Sequence, residues 1–572
     1  MSVDARTVFR WLPSLFGVGS TDVHKKTGVV MKTTDIGRAV SPWLTAALCA
    51  GLLMGCSDDG SVDIAGSTDS GDGTARTAIV DTSAGPVQGR VENEVEQFLG
   101  IPYAAPPVGD LRWRPPESVQ PWTETREAVA FGNTCAQTLT LGVFAAPSQN
   151  EDCLFLNVFA PGSRTDDAAL PVIIWMHGGA ILAGGSNDYD GSQLARDGDV
   201  IVVTINNRMN VFGFLSLPAL DDEGHSFGNY GFMDQQFAFE WVQANIAAFG
   251  GDPDNVTISG ESAGGKSVWV HLASPTAAGL FDRAIIESGA GPATVDQATA
   301  QADGLALAEA TGCDSEDAGQ TVACLRALSV AEIQAAGSFG GNPVIDGTLI
   351  TQPLLAAFQS GDFNQVPVIG GATRDENRFF VAVNETSSGQ VVTAEQYDSQ
   401  IAAGYGERAQ DVRDAYPLAA YDSPSLALSA VQTDSGIVCP GLALDQAMAE
   451  YVPVYIFEFA DRTAPVYAPP VSFDFGAYHT GEIQYLFPLF RGATGTAKPL
   501  DDAQAALSAD MVSYWTTFAA AGDPNASSTP EWPAYSDDSR QYLSLELPEP
   551  VTKDISALSD DHHCDLWASL NG

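Results

Sequence analysis

Five residues, Gly260-Glu261-Ser262-Ala263-Gly264, lie between the β-prone run 255–259 and a helix-compatible stretch beginning near Lys266. A strand that turns sharply into a helix leaves no room for side chains beside the turn, so glycines flank Ser262. The strained turn holds the serine hydroxyl above the sheet edge, where it is available as a nucleophile. Extended by three residues, the segment reads Gly260-Glu261-Ser262-Ala263-Gly264-Gly265-Lys266-Ser267 and also satisfies the phosphate-cradling P-loop pattern, another strand-to-helix turn. Coincidence is the third reading, because the chain carries 56 glycines. Local context does not separate the three, and partners elsewhere must decide.

A serine nucleophile needs an imidazole to take its proton, a carboxylate to orient that imidazole, and donors for the oxyanion. On a strand-turn-helix elbow the partners follow in the chain order Ser, acid, His. Of the seven histidines, those after Ser262 are His271, His479, His562 and His563. His271 follows so closely that it belongs to the elbow helix and faces away. His562 and His563 adjoin Cys564, where an exposed or disulfide-flanking role is expected. His479 remains, in a glycine-bounded loop after the apolar strand 454–459, which suits a general base. The acid is sought on a loop after the apolar run 366–371, and either Asp375 or Glu376 serves by pattern.

The oxyanion donors are expected on a glycine-rich loop after an earlier strand. The run 171–176 is that strand, and His177-Gly178-Gly179-Ala180 is the loop. Its backbone N–H groups would act with that of Ala263, and one such donor is worth about 3 kcal/mol of barrier. His177 itself reads as structural. A P-loop requires none of these parts.

Two long signatures, residues 249–264 through the elbow and Glu151-Asp152-Cys153-Leu154-Phe155-Leu156-Asn157-Val158, resemble the type-B carboxylesterases, the family that includes the cholinesterases. Shorter family-like pieces lie at 98–104, 228–236 and 522–533, so the resemblance runs from about residue 77 to the C-terminus. It implies an α/β-hydrolase fold, with a mostly parallel central sheet flanked by helices and with inserted loops and helices over an active-site gorge. It also implies a Ser262, Glu376, His479 triad, with oxyanion donors on Gly179, Ala180 and Ala263. Glu261 and Ser288 match positions that tune the site, and the family's internal ion pairs map onto Arg112 with Glu151 and Arg208 with Asp234. The activity implied is hydrolysis of a small-molecule carboxylic ester through an acyl-enzyme, with no metal or other cofactor. A silent adhesion module of the same superfamily is the alternative, and such modules usually lack a triad member. This sequence departs from the family at Asn377, where Gly is usual, at Thr480, where a small residue is usual, and at Lys266.

The resemblance also pairs six of the eight cysteines as Cys135 with Cys153, Cys313 with Cys324, and Cys439 with Cys564. That usage fits an oxidising compartment. Residues 1–56 read as a targeting segment whose signal begins at Met31: a basic stretch ending at Arg38, an apolar run too short to span a membrane, then Leu53-Met54-Gly55-Cys56. This resembles a bacterial lipoprotein site with Cys56 lipidated, and an ordinary signal peptide is the alternative. The expected location is exported, periplasmic or cell-surface, with membrane contact only through that anchor. Residues 57–76, rich in Ser, Asp and Gly, read as a flexible tether, and 77–572 as a single hydrolase domain.

With 26 basic against 72 acidic residues the formal net charge is −46, which excludes nucleic acid as a partner. Hydrophobic residues make up 45% and charged ones 17%, so the chain is globular rather than an acidic disordered one. After residue 56 the only lysines are Lys266, Lys498 and Lys553. A lysine-poor acidic surface is the composition expected of a saline habitat.

Overall fold

Runs such as Val172-Ile173-Ile174-Trp175-Met176 and Ile201-Val202-Val203-Thr204-Ile205 have no polar alternation, which is the signature of strands covered on both faces. Both are central strands in the computed structural model, which describes residues 75–571 apart from 139–145, 166–167, 222, 226–227, 290–292, 338–341 and 491–497. The targeting segment with Met31 and Cys56, and the tether up to residue 74, lie outside the described residues. The strands are β1 (Ala75–Asp81), β2 (Pro86–Glu92), β3 (Val95–Pro102), β4 (Phe155–Pro161), β5 (Leu170–Met176), β6 (Ile201–Ile205), β7 (Gly251–Glu261), β8 (Arg283–Glu287), β9 (Val368–Thr373), β10 (Val454–Phe459), β11 (Gln541–Leu545) and β12 (Val551–Asp554). They form one sheet in the order β1-β2-β3-β4-β6-β5-β7-β8-β9-β10-β11-β12, with the short strand Arg126–Glu127 beside β2. From β6 to β11 every pairing is parallel, and the flanking pairings are antiparallel.

Side chains alternate across a strand, so a doubly covered sheet divides its apolar residues between two cores. Val172, Ile174, Val203, Ile258, Ile286 and Ile456 enter one cluster; Ile173, Trp175, Val202, Ile285, Tyr455 and Phe457 enter the other. The covering helices that matter for the site are α1 (Tyr230–Asn245), α2 (Ala263–Ala273), α3 (Asn377–Ser388), α4 (Pro424–Thr433), α5 (Cys439–Ala449), α6 (Asp502–Ala521) and α7 (Cys564–Asn571). Their ends are written locally. Asp501 and Gln504 form a capping box at the start of α6, and Gly522, at φ 75°, ends it in the left-handed conformation.

Three disulfides, Cys135–Cys153, Cys313–Cys324 and Cys439–Cys564, have Cα separations of 4.9, 5.5 and 5.2 Å. Arg112 and Arg208 clasp Glu151 and Asp234 respectively through paired hydrogen bonds, and the Arg208 pair is wholly buried. His562 flanks the third bridge, as expected, but it is not exposed. Its Nδ1 lies 2.5 Å from Asp434 and its Nε2 2.9 Å from Glu458, and the two carboxylates push its pKa up to about 10 despite burial. No helix among the described residues is long and apolar enough to cross a membrane.

Candidate active site

Parallel strands deliver the loops at their C-terminal ends to one edge of the sheet, where ligands of such folds bind. Here β5, β7, β9 and β10 lead into the segments bearing Gly178, Ser262, Glu376 and His479. Between β7 and α2 the chain reverses at Ser262, which sits at φ 58° and ψ −117°, a strained conformation for a residue with a side chain. The Ser262 N–H donates to the Glu287 carbonyl at 2.9 Å, and the Lys266 N–H closes the first helical turn onto the Ser262 carbonyl at 2.9 Å. Gly264 is required sterically, because a Cβ there would sit 2.0 Å from the Met176 carbonyl oxygen.

Three side chains from distant segments meet at this turn. His479 Nε2 lies 2.8 Å from Ser262 Oγ, and His479 Nδ1 is hydrogen-bonded to Glu376 Oε2. The other carboxylate oxygen of Glu376 accepts the Thr373 N–H at 2.8 Å, and its carbonyl accepts the His479 N–H at 3.3 Å. A carboxylate that only accepts fixes the imidazole proton on Nδ1 and turns the lone pair of Nε2 toward the serine. Asp375, the other acid open to the pattern, points elsewhere: it binds Arg462 through two 2.9 Å bonds, pairs with Arg378, and accepts the Ala477 N–H. It braces the loop that presents His479.

The loop after β5 passes close to Ser262, since a Cβ on Gly178 would lie 3.1 Å from the serine Cβ. Gly179, Ala180 and Ile181 follow at φ 110°, 58° and 61°. The Gly179 carbonyl accepts from Leu182 and Ala183, both at 3.0 Å. This left-handed run frees the Gly179 and Ala180 N–H groups from backbone acceptors among the described residues. His177 is buried, its Nδ1 2.8 Å from the Gly178 carbonyl, and burial lowers its pKa. His271 lies inside α2 with Nε2 2.8 Å from Gln235 Oε1, away from the turn.

Three further carboxyls surround this chemistry. Glu261 is fully buried and its Oε1 lies 3.2 Å from His479 Nε2, yet neither oxygen has hydrogen-bond geometry to any described group. Burial, reinforced by Glu482, Glu376 and Glu287, raises its pKa well above the usual range. Glu482 is raised likewise by burial and then by Glu376 and Glu287, and it accepts from Ser288 Oγ at 3.4 Å. Burial lifts Glu287 to about 8, opposed by the Trp515 Nε1 hydrogen bond at 3.0 Å. The sequence reading singled out Glu261 and Ser288 but missed Glu287 and Glu482 as ionisable parts of the site. On a chain so acidic, nothing in their sequence context separates a buried glutamic acid from a solvated one.

Among the departures, Thr480 adopts φ 72° and binds the buried Tyr467 hydroxyl through both its carbonyl and its own hydroxyl. The Asn377 N–H donates to Thr433 Oγ1 at 2.9 Å, tying the first turn of α3 to α4. Phe379 is buried, and the Phe380 ring centre lies 4.9 Å from that of His479. No group of three His, Cys, Asp or Glu able to hold a metal ion occurs among the described residues.

A serine on a strained elbow below a glycine-rich loop, reached by a histidine that a carboxylate orients, defines the α/β-hydrolase class. Comparison with known proteins narrows this: residues 76–567 match the Carboxylesterase family, and the chain belongs to it. It is 36% identical over 490 residues to the para-nitrobenzyl esterase of Bacillus subtilis (strain 168), covering 83% of this chain and 96% of that one. It is 34% identical to the Homo sapiens cocaine esterase, covering 83% and 87% of the two chains. A solved structure of a PNB esterase superposes with a TM-score of 0.71 at 33% identity, covering 85% of this chain and 99% of that one.

Proposed function

We propose that the protein hydrolyses carboxylic esters by two-step acyl transfer, with Ser262 as nucleophile, His479 as general base and acid, and Glu376 as the group that orients the imidazole. The observation that carries this reading is the unbroken contact from Ser262 Oγ through His479 to Glu376 at the elbow. In the first step Nε2 takes the hydroxyl proton as Oγ attacks the ester carbonyl. The N–H groups of Gly179, Ala180 and Ala263 receive the oxyanion, and the imidazolium returns its proton to the departing alcohol. Water, deprotonated by the same Nε2, then attacks the acyl-enzyme and regenerates Ser262. Burial raises the pKa of Glu261, Glu287 and Glu482 and so favours their neutral forms, which limits further negative charge around His479.

Purified protein should release p-nitrophenol from a panel of p-nitrophenyl acyl esters, and Ser262→Ala should lower kcat by about 10⁴-fold or more. Hydrolysis surviving in that variant would refute the assignment. The same reading takes residues 77–572 as one hydrolase domain working in an oxidising, exported location, with Cys56 as its lipid anchor. Metabolic labelling with a radioactive fatty acid, lost in Cys56→Ser, tests the anchor.

A further inference from the structure

From Val256 through Ser274, across the end of β7, the elbow and all of α2, every residue is buried except two: Ser262 and Lys266. They stand one helical turn apart, a rise of about 5.4 Å, and residues at that spacing share a helix face. The neighbours of Lys266 are committed elsewhere. Gly265 packs so closely on the Glu287 carbonyl and Gly289 that a Cβ would reach 2.8 Å, and Ser267 bonds back to the Ala263 carbonyl while accepting from Gln235 on α1. Within this segment Ser262 and Lys266 are thus the two positions with solvent access, spaced to share one face of the elbow helix.

The ammonium there is anomalous. Lys553 reaches Glu546 and Lys498 reaches the Val466 carbonyl, whereas the Lys266 ammonium has neither an ion pair nor a hydrogen bond among the described residues. Burial alone, with no carboxylate contributing, lowers its pKa to about 8, so it is still charged at neutral pH. A partly buried cation without a partner is destabilising, and such a perturbed group in a cleft marks a place where a ligand can supply the missing charge. The chain's net charge is −46, yet among the described residues no carboxylate contributes beside this ammonium.

Resting on the esterase reading, we propose that Lys266 is a specificity-determining residue that binds an anionic group, a carboxylate foremost, carried by the ester a few bonds from the scissile carbonyl. It takes no part in the bond-making steps. It selects among esters by offering a desolvated positive charge beside Ser262, where a charge-assisted hydrogen bond counts for most. The P-loop-like lysine that made the elbow ambiguous in the sequence thus acts on an anion within a hydrolase site.

Kinetics on matched esters test this. Monoethyl adipate against ethyl hexanoate places the carboxylate on the acyl side, and 4-acetoxybutyrate against butyl acetate places it on the alcohol side. Each pair is compared at high salt, so that the diffuse acidic surface is screened. In one arm the kcat/KM ratio of anionic to neutral ester should fall by about tenfold or more in Lys266→Met and be held in Lys266→Arg. A ratio in both arms that is indifferent to Lys266→Met overturns the proposal while leaving the esterase intact. Failure of the wild type on all four esters and on the p-nitrophenyl panel overturns the hydrolase reading itself and the proposal with it.

Discussion

His562→Gln offers a quantitative test, because the wild-type side chain bridges two buried carboxylates, Asp434 and Glu458. Truncating one partner of a buried ion pair costs about 3 to 5 kcal/mol. Here each carboxylate keeps a second donor, Tyr416 Oη at 2.8 Å for Asp434 and Arg374 at 3.4 Å for Glu458. Glutamine also retains one donor, so the lower end, about 3 kcal/mol, is expected. The pH dependence fixes the sign. In the unfolded chain His562 loses its proton near 6.5, whereas in the fold it holds the proton up to about 10. Between those values the folded state binds a proton that the unfolded state has shed, so raising the pH favours unfolding by up to about 1.4 kcal/mol per unit. The contribution is complete below pH 6.5 and is lost as pH rises toward 10. Guanidinium unfolding of the oxidised protein, followed by tryptophan fluorescence, should show a large midpoint gap between wild type and variant at about pH 6 and a much smaller one at about pH 9. A gap of equal size at both pH values would refute the charged bridge.

Glu287→Gln should behave in the opposite sense. A carboxyl raised from 4.5 to about 8 stays protonated in the fold while the unfolded chain ionises, so wild-type stability falls across that interval and the glutamine variant escapes the loss. Its melting temperature should exceed that of wild type by more at about pH 8 than at about pH 5, and a constant difference would contradict the burial argument. Gly264→Ala should lower stability by about 3 kcal/mol and depress kcat, because the new methyl would overlap the Met176 carbonyl oxygen at 2.0 Å; an unchanged melting curve would refute the steric requirement for glycine at the elbow.

The elbow serine, the glycine-rich loop and His479 are legible in the sequence because each needs a rare local composition at a strand end. The strands 454–459 and 171–176 were legible for the same reason, as apolar runs too short for helices. The choice between Asp375 and Glu376 was not legible from pattern. Adjacent carboxylates differ only in the direction they face, and that direction is set by Arg462 and Ala477, 87 and 102 residues away. His562 was misjudged as potentially exposed because its partners Asp434 and Glu458 lie 128 and 104 residues upstream. Long-range pairing of this kind leaves no periodicity to read.

The three side chains at the elbow are separated by 217 residues between Ser262 and His479, and by 103 between Glu376 and His479. Contacts of such span form late, after the intervening chain has lost the entropy of closing those loops. Secondary structure and most tryptophan burial can therefore return in a refolding experiment before any turnover does. Ester cleavage would then serve as a clock for the last event of folding, reporting the moment when the far ends of the sheet's loops register with one another.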